Sequence, residues 1–228
     1  EDGTPGLAAT YTLRDDMSWS DGVPITSDDV VFTWEVGKHP KAGVGNFELF
    51  SRIVKIEVAG ARTFTLYINK RTCDYQGLGD YLLLPAHIER PIFEASPENY
   101  RNASAYETDT TNPGLWFGPY RVAEVVTGSH VVLERNPGWK GNRPAFDTVV
   151  VRAIENTSAL TTNLLSGAVD YISGELGLPI DQALAFETRA GKDFNFVYKP
   201  GLFYEHIDLN LDNPALRDIR VRRALLHA

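Results

Sequence analysis

Hydrolytic or redox chemistry in this chain would have to come from five histidines, one cysteine and a few close-set carboxylates. His39, His87, His130, His206 and His227 are scattered, and no H-x-x-x-H, H-E-x-x-H or C-x-x-C spacing sets two metal ligands side by side. Cys73 sits in Arg71-Thr72-Cys73-Asp74 without a neighbouring base, whereas a nucleophilic thiol needs one to become a thiolate. Neither a G-x-S-x-G elbow nor a Walker phosphate loop is present. Asp28 and Asp29 follow Thr26 with the T-x-x-D spacing of a capping box, near the positive end of a helix dipole. They are predicted to be helix caps, not a catalytic pair. These patterns predict no enzyme and call for no cofactor or metal. Two stretches could serve recognition instead. In 204–211, His206, Asp208 and Asn210 alternate with Ile207, Leu209 and Leu211, which fits a strand with one polar face, either solvated or facing a ligand. The loop Val44-Gly45-Asn46-Phe47 offers an aromatic side chain, either as a core anchor or as a contact residue.

Positioning such residues requires an ordered scaffold, and its local signals are clear. Tyr11–Arg14 reads as a strand, Asp21-Gly22 as a tight turn, and Val30, Val31 and Trp34 as the apolar face of the helix capped by Thr26. Trp19 and Trp34 are expected in the core. Ile53–Val58 and the clean alternation of Phe64, Leu66 and Ile68 against Thr65, Tyr67 and Asn69 predict a hairpin joined by Ala59-Gly60-Ala61. Ser96–Pro113, polar and proline-broken, reads as a linker. Beyond it, strands are expected at Arg121–Val126 and Val131–Arg135 around Thr127-Gly128-Ser129. Another is expected within Phe146–Ile154, its Val149–Val151 run suggesting burial on both faces. Helices are predicted over Thr157–Ser166, with Leu160, Leu164 and Leu165 inward and Gly167 as the stop, and over Pro179–Ala190. Val169-Asp170 resembles the strand start of a known protein family, and alternation of helices and strands from there predicts an α/β lobe.

Composition narrows the function classes. The 228 residues are 43% hydrophobic and 23% charged, enough for one large domain or two small ones. No apolar run approaches the roughly 20 residues that span a bilayer. Net charge is −8, which disfavours non-specific binding of nucleic acid or anionic membrane. A single cysteine allows no intramolecular disulfide, and a chain of this size can build a core without one.

Four separated blocks, in order, resemble the family 5 solute-binding proteins, the extracytoplasmic receptors of ABC importers for oligopeptides, dipeptides and nickel. The first is Leu13, Arg14, Trp19, Ser20, Asp21, Gly22, Pro24, Ile25, Thr26, Asp29 and Val30. The second is Leu82–Ile88 with Pro85 and His87, similar to the family's L-P-x-H turn. The third comprises Gly118, Pro119, Tyr120, Leu133, Arg135, Asn136, Pro137 and Trp139, with Phe117 standing where the family commonly has threonine or serine. The last is Asp218, Arg220, Val221, Arg222, Ala224 and Ala228, where Asp218 is a plausible N-cap and Val221, Leu225 and Ala228 form one stripe.

The resemblance implies an α/β fold of the periplasmic-binding-protein type, in the type II, oligopeptide-receptor class. It also implies that the chain is a fragment: an accessory lobe over 1–112, then part of the first ligand-binding lobe over 113–228, with the second large lobe absent. The implied function is capture of di- or oligopeptides outside the cytoplasm by two-lobe closure, and delivery to the permease subunits in the membrane. The protein would then be periplasmic, or lipid-anchored on the outer side of the cytoplasmic membrane, and the fragment monomeric. Relatives leave a nickel, haem or other small-solute receptor open, as well as a receptor-like signalling or adhesion domain with a protein partner. By the resemblance, Asn46 and Phe47 lie on a loop that reaches over the ligand. His206, Asp208, Asn210 and Leu211 lie on a crossover strand lining the cleft. The charged residues that fix peptide termini would come mainly from the missing lobe, so the fragment is expected to bind little ligand alone.

Overall fold

A computed structural model describes residues 6–43, 46–71, 73, 75, 81–173, 177–199 and 206–227. The chain divides into two compact units, Glu1–Glu155 and Asn156–Ala228.

The first unit is built on a three-stranded antiparallel sheet of order β1-β3-β2, with β1 at Leu7–Thr12, β2 at Ile53–Gly60 and β3 at Thr63–Ile68. β3 takes the centre, and its alternation carries through: Phe64, Leu66 and Ile68 are buried while their neighbours are half-exposed. The β2–β3 turn falls at Ala61 and Arg62, one residue later than the predicted joint. Helix α1, Ser27–Gly37, lies on the buried face of this sheet through Val30. Its buried surface is wider than predicted. Phe32 and Val36 form a second stripe against Ala86 and Tyr100, whereas Val31 is only half-buried. A short helix α2, Phe47–Arg52, follows, and α3, Ala86–Ala95, begins directly after Pro85.

The segment 96–113 corrects the linker expectation. It coils through a 3-10 turn at Pro97–Asn99, helices α4 at Tyr100–Ala103 and α5 at Ala105–Thr108, and a second 3-10 turn at Pro113–Leu115. Tyr100, Ser104, Ala105 and Leu115 are buried. Glu89, fully buried in α3, accepts from Ala105 N at 2.9 Å and from Ser104 Oγ at 3.2 Å. Polar composition misled here, because the polar side chains satisfy buried backbone instead of solvent.

A second antiparallel sheet, β4-β5-β6, comprises Tyr120–Val126, His130–Arg135 and Thr148–Arg152. The first two strands lie where expected, around a turn at Gly128 with φ 72°. β6 also forms within its expected span, but its valines, expected to be buried on both faces, lie on an edge among the described strands, with Val150 and Val151 exposed, Val151 at 54%. Among the described residues, Val122 of this sheet is buried, and none of the three buried hydrophobic clusters draws a residue from it.

The second unit packs α6, Thr157–Leu165, against α7, Ile180–Ala190, through Leu164, Phe186 and Ala190, with Phe194 and Phe196 around the Phe186 ring. Leu165 points outward, contrary to expectation. Gly167, at φ 73°, ends α6 as predicted. Helices α8, Pro214–Arg217, and α9, Ile219–His227, contribute no buried residue. Among the described residues this unit has no strand, including at Val169-Asp170. The described strands of the mixed α/β architecture therefore belong to the first unit.

Candidate functional site

Asn46 is the one described non-glycine residue with positive φ, 61°. Asparagine tolerates this left-handed conformation, and here it turns the chain into α2, its Oδ1 accepting from Leu49 N at 3.2 Å. Phe47 then projects at the start of the helix, 50% exposed. Beneath it the support is firm. Phe50 is buried, and the Trp34 indole donates to Ile53 O at 2.9 Å and Phe50 O at 3.2 Å. The Lys38 ammonium lies 3.5 Å over the Trp34 ring centroid. Phe47 is thus an exposed side chain on an anchored helix and not a core anchor. Val44 and Gly45 lie outside the described residues.

The predicted strand at 204–211 does not form over its described part. Residues 206–210 are in no strand, and Ile207 is 85% exposed. A strand needs a neighbour to satisfy its backbone, and no described strand runs beside this one. Local polar contacts stand in its place: His206 Nε2 lies 3.2 Å from Asp208 Oδ2, Asn210 Oδ1 accepts from Asp212 N at 2.9 Å, and Leu211 O accepts from Arg217 Nε at 2.9 Å. Asn46 and Phe47 belong to the first compact unit, and His206, Asp208, Asn210 and Leu211 to the second.

Asp29 is a cap, as predicted, whereas Asp28 lies in the first turn of α1 with its carboxylate turned to Arg90. Asp29 Oδ2 accepts from Thr26 N at 2.8 Å to complete the capping box, while its Oδ1 accepts from Ala86 N at 2.9 Å. One carboxylate therefore holds the N-termini of both α1 and α3. Burial pushes its pKa up, against the lowering effect of these two backbone hydrogen bonds.

A charged groove between these helix ends was not evident in the sequence. It is an open cavity of about 480 Å³ walled by Val23, Pro24 and Pro91, with Asp28, His87 and Arg90 at its rim. Arg90 pairs with Asp28 at 2.7 Å and Glu35 at 3.3 Å and stacks over Phe32. His87 Nε2 lies 2.9 Å from Asp21 Oδ2. Each pair joins residues more than fifty positions apart, and no local pattern marks such a pairing. Among the described residues no group of three or more His, Cys, Asp or Glu side chains comes together to hold a metal, and Cys73 is exposed.

The sequence pattern of the bacterial extracellular solute-binding proteins, family 5 Middle, matches residues 2–228. A protein of Brucella melitensis, named as a binding protein, is 28% identical over 228 residues, covering 94% of this chain and 35% of that protein. The oligopeptide-binding protein of Thermus thermophilus, solved with a pentapeptide, is 28% identical with a TM-score of 0.60, over 75% of this chain and 32% of its own. NikZ of Campylobacter jejuni, solved with Ni(L-His), shares the fold at a TM-score of 0.71 and 24% identity, over 96% of this chain and 41% of its own. The chain thus spans between a third and about two-fifths of the length of these proteins. With the capped helix, the Asp21-Gly22 turn and both sheets inside the matched span, the chain belongs to family 5 of the bacterial extracellular solute-binding proteins.

Proposed function

We propose that this chain is part of the substrate-binding component of an ABC importer, which captures peptides outside the cytoplasm and passes them to permease subunits in the membrane. The observation that carries this is the family match over residues 2–228. The pentapeptide held by the Thermus relative supports peptides as the solute class. Binding needs no chemistry: lobes closing on a ligand shift an open–closed equilibrium, and extended peptides are held largely through their backbone. Residues 1–112 would form the accessory lobe and 113–228 part of the first ligand-binding lobe of a type II receptor. Exposed Phe47, set by Asn46, would contact the ligand, and His206, Asp208, Asn210 and Leu211 would line the cleft. The protein would act in the periplasm or anchored on the outer face of the cytoplasmic membrane; among the described residues no helix is long and apolar enough to cross it.

The Ni(L-His) complex of the Campylobacter protein favours a second reading, a receptor for a small metal chelate. Native mass spectrometry of the full-length receptor beside this chain separates the two. A ladder of peptide-sized adducts on the full-length protein alone is expected. One defined small adduct would favour the chelate reading, and peptides retained by this chain by itself would sink the incomplete-site argument.

A further inference from the structure

Helix α2 carries Phe47, yet it is too short to hold that side chain in place by itself. An isolated helix of fewer than about 12 residues is marginal in water, and α2 has six. Its direction is therefore imposed by its neighbours, chiefly the C-terminal end of α1. There Trp34, Gly37 and Lys38, spaced three and four positions apart, share one face. The Trp34 indole N–H lies between Phe50 O and Ile53 O, at 3.2 and 2.9 Å, and so satisfies carbonyls at the end of α2 that no further turn could reach. The indole is itself fixed, packed against the cluster around Val30 and Leu66 and capped by the Lys38 ammonium 3.5 Å from its centroid.

Gly37 supplies the seat. A Cβ there would collide with the Phe50 ring, so glycine lets that ring lie directly against the α1 backbone. Tyr81 closes over the other side of Phe50, ring centroids 5.1 Å apart, with its hydroxyl donating to Val30 O at 2.6 Å. Arg52 O accepts from Asn69 N at 2.9 Å, which ties the end of α2 to the end of β3. Phe47 stands three positions before Phe50 and therefore beside it on the helix surface. With the Phe50 ring seated and the last carbonyls held, α2 can neither roll nor slide, and the direction of the Phe47 side chain follows.

We infer that Trp34 is a positioning residue for ligand recognition: through the carbonyls of Phe50 and Ile53 it sets the direction in which Phe47 meets a bound peptide. This rests on the reading that Phe47 contacts the peptide. Trp34 acts through α2, and its effect is preorganisation, because the ring is ordered during folding and not at the moment of binding.

Titration of the full-length receptor with a synthetic pentapeptide library, read by native mass spectrometry, tests this. Phe47→Ala is expected to weaken binding about tenfold, as for loss of a partly buried aromatic contact. Trp34→Phe keeps a ring and removes the donor, and should weaken binding about fivefold. Added to Phe47→Ala, the same change should cost nothing further, since no ring is left to aim; a merely structural loss would persist. Gly37→Ala unseats Phe50 and should act like Trp34→Phe, which keeps the test open if that variant does not fold. A weakened Phe47→Ala beside unchanged Trp34→Phe and Gly37→Ala, or a Trp34→Phe loss that persists without Phe47, would overturn the positioning role. Wild-type affinity in Phe47→Ala, or no peptide bound by the wild type, would refute the ligand contact itself and the inference with it, a failure told apart because Phe47 is then silent.

Discussion

At the scale of single residues, Asp29 ties two helix ends together. Its two oxygens serve backbone donors at the starts of two helices, the Ala86 contact buried and the Thr26 contact partly so. Asp29→Ala leaves one buried and one partly buried N–H group unpaired, and a loss of about 2–4 kcal/mol is expected in urea denaturation. Asp29→Asn keeps one acceptor and should lose about half as much. The pH dependence separates charge from geometry. Because burial raises the Asp29 pKa, the folded chain holds this proton to higher pH than the unfolded chain does. Its stabilising contribution is fully present below the unfolded pKa and falls as pH rises through the folded one. The stability of the wild type relative to Asp29→Asn should therefore decrease as pH rises above the ordinary carboxylate pKa of about 4. A difference that stays flat or rises would mean that the two hydrogen bonds outweigh desolvation.

At the scale of elements, the segment between α3 and β4 separates structure from composition most sharply. Tyr100 is buried between α3 and α1, and its ring meets Phe93 edge-to-face at 5.4 Å. Tyr100→Ala is expected to cost about 3 kcal/mol, as for other buried aromatics. Limited proteolysis of the native chain should cut within 96–113 no faster than within α1; rapid cleavage there would restore the linker. The elements that sequence made legible are those whose signals are local. Thr26 and Asp29 lie one helical turn apart, Phe64, Leu66 and Ile68 share one strand face, and Gly167 stops the helix beside it. What sequence could not display depends on distant partners. Val149–Val151 has the apolar run of a central strand, but burial follows neighbours, and this strand has one on one side only. Ile207, Leu209 and Leu211 alternate as a strand does, yet no described strand pairs with them. For the candidate sites, Phe47 was legible as a loop aromatic, whereas the His87–Asp21 and Arg90–Asp28 pairs join positions 66 and 62 residues apart.

At the scale of the whole molecule, the two units differ in how much apolar surface each conceals. The first holds two buried clusters, one between α1 and its sheet and one between α1, α3 and α4. The second has one small cluster around Phe186 and a C-terminal helix pair without buried residues. Local opening free energy follows buried contact density, so hydrogen exchange should find the slowest amides in β3 and α1 and faster exchange throughout α6 and α7. Equal protection in both units would contradict this ranking.

The four tryptophans, Trp19, Trp34, Trp116 and Trp139, all fall within residues 1–155. Trp19 is wholly shielded from solvent beside Phe117, and the indoles of Trp34, Trp116 and Trp139 each donate to a backbone carbonyl. The chain is thus optically lopsided: its tryptophan emission comes from one unit, with Trp19 as its blue-shifted component. A melt followed by selectively excited tryptophan emission is therefore a melt of residues 1–155, and a red shift from Trp19 would be the visible sign of water reaching the core around it.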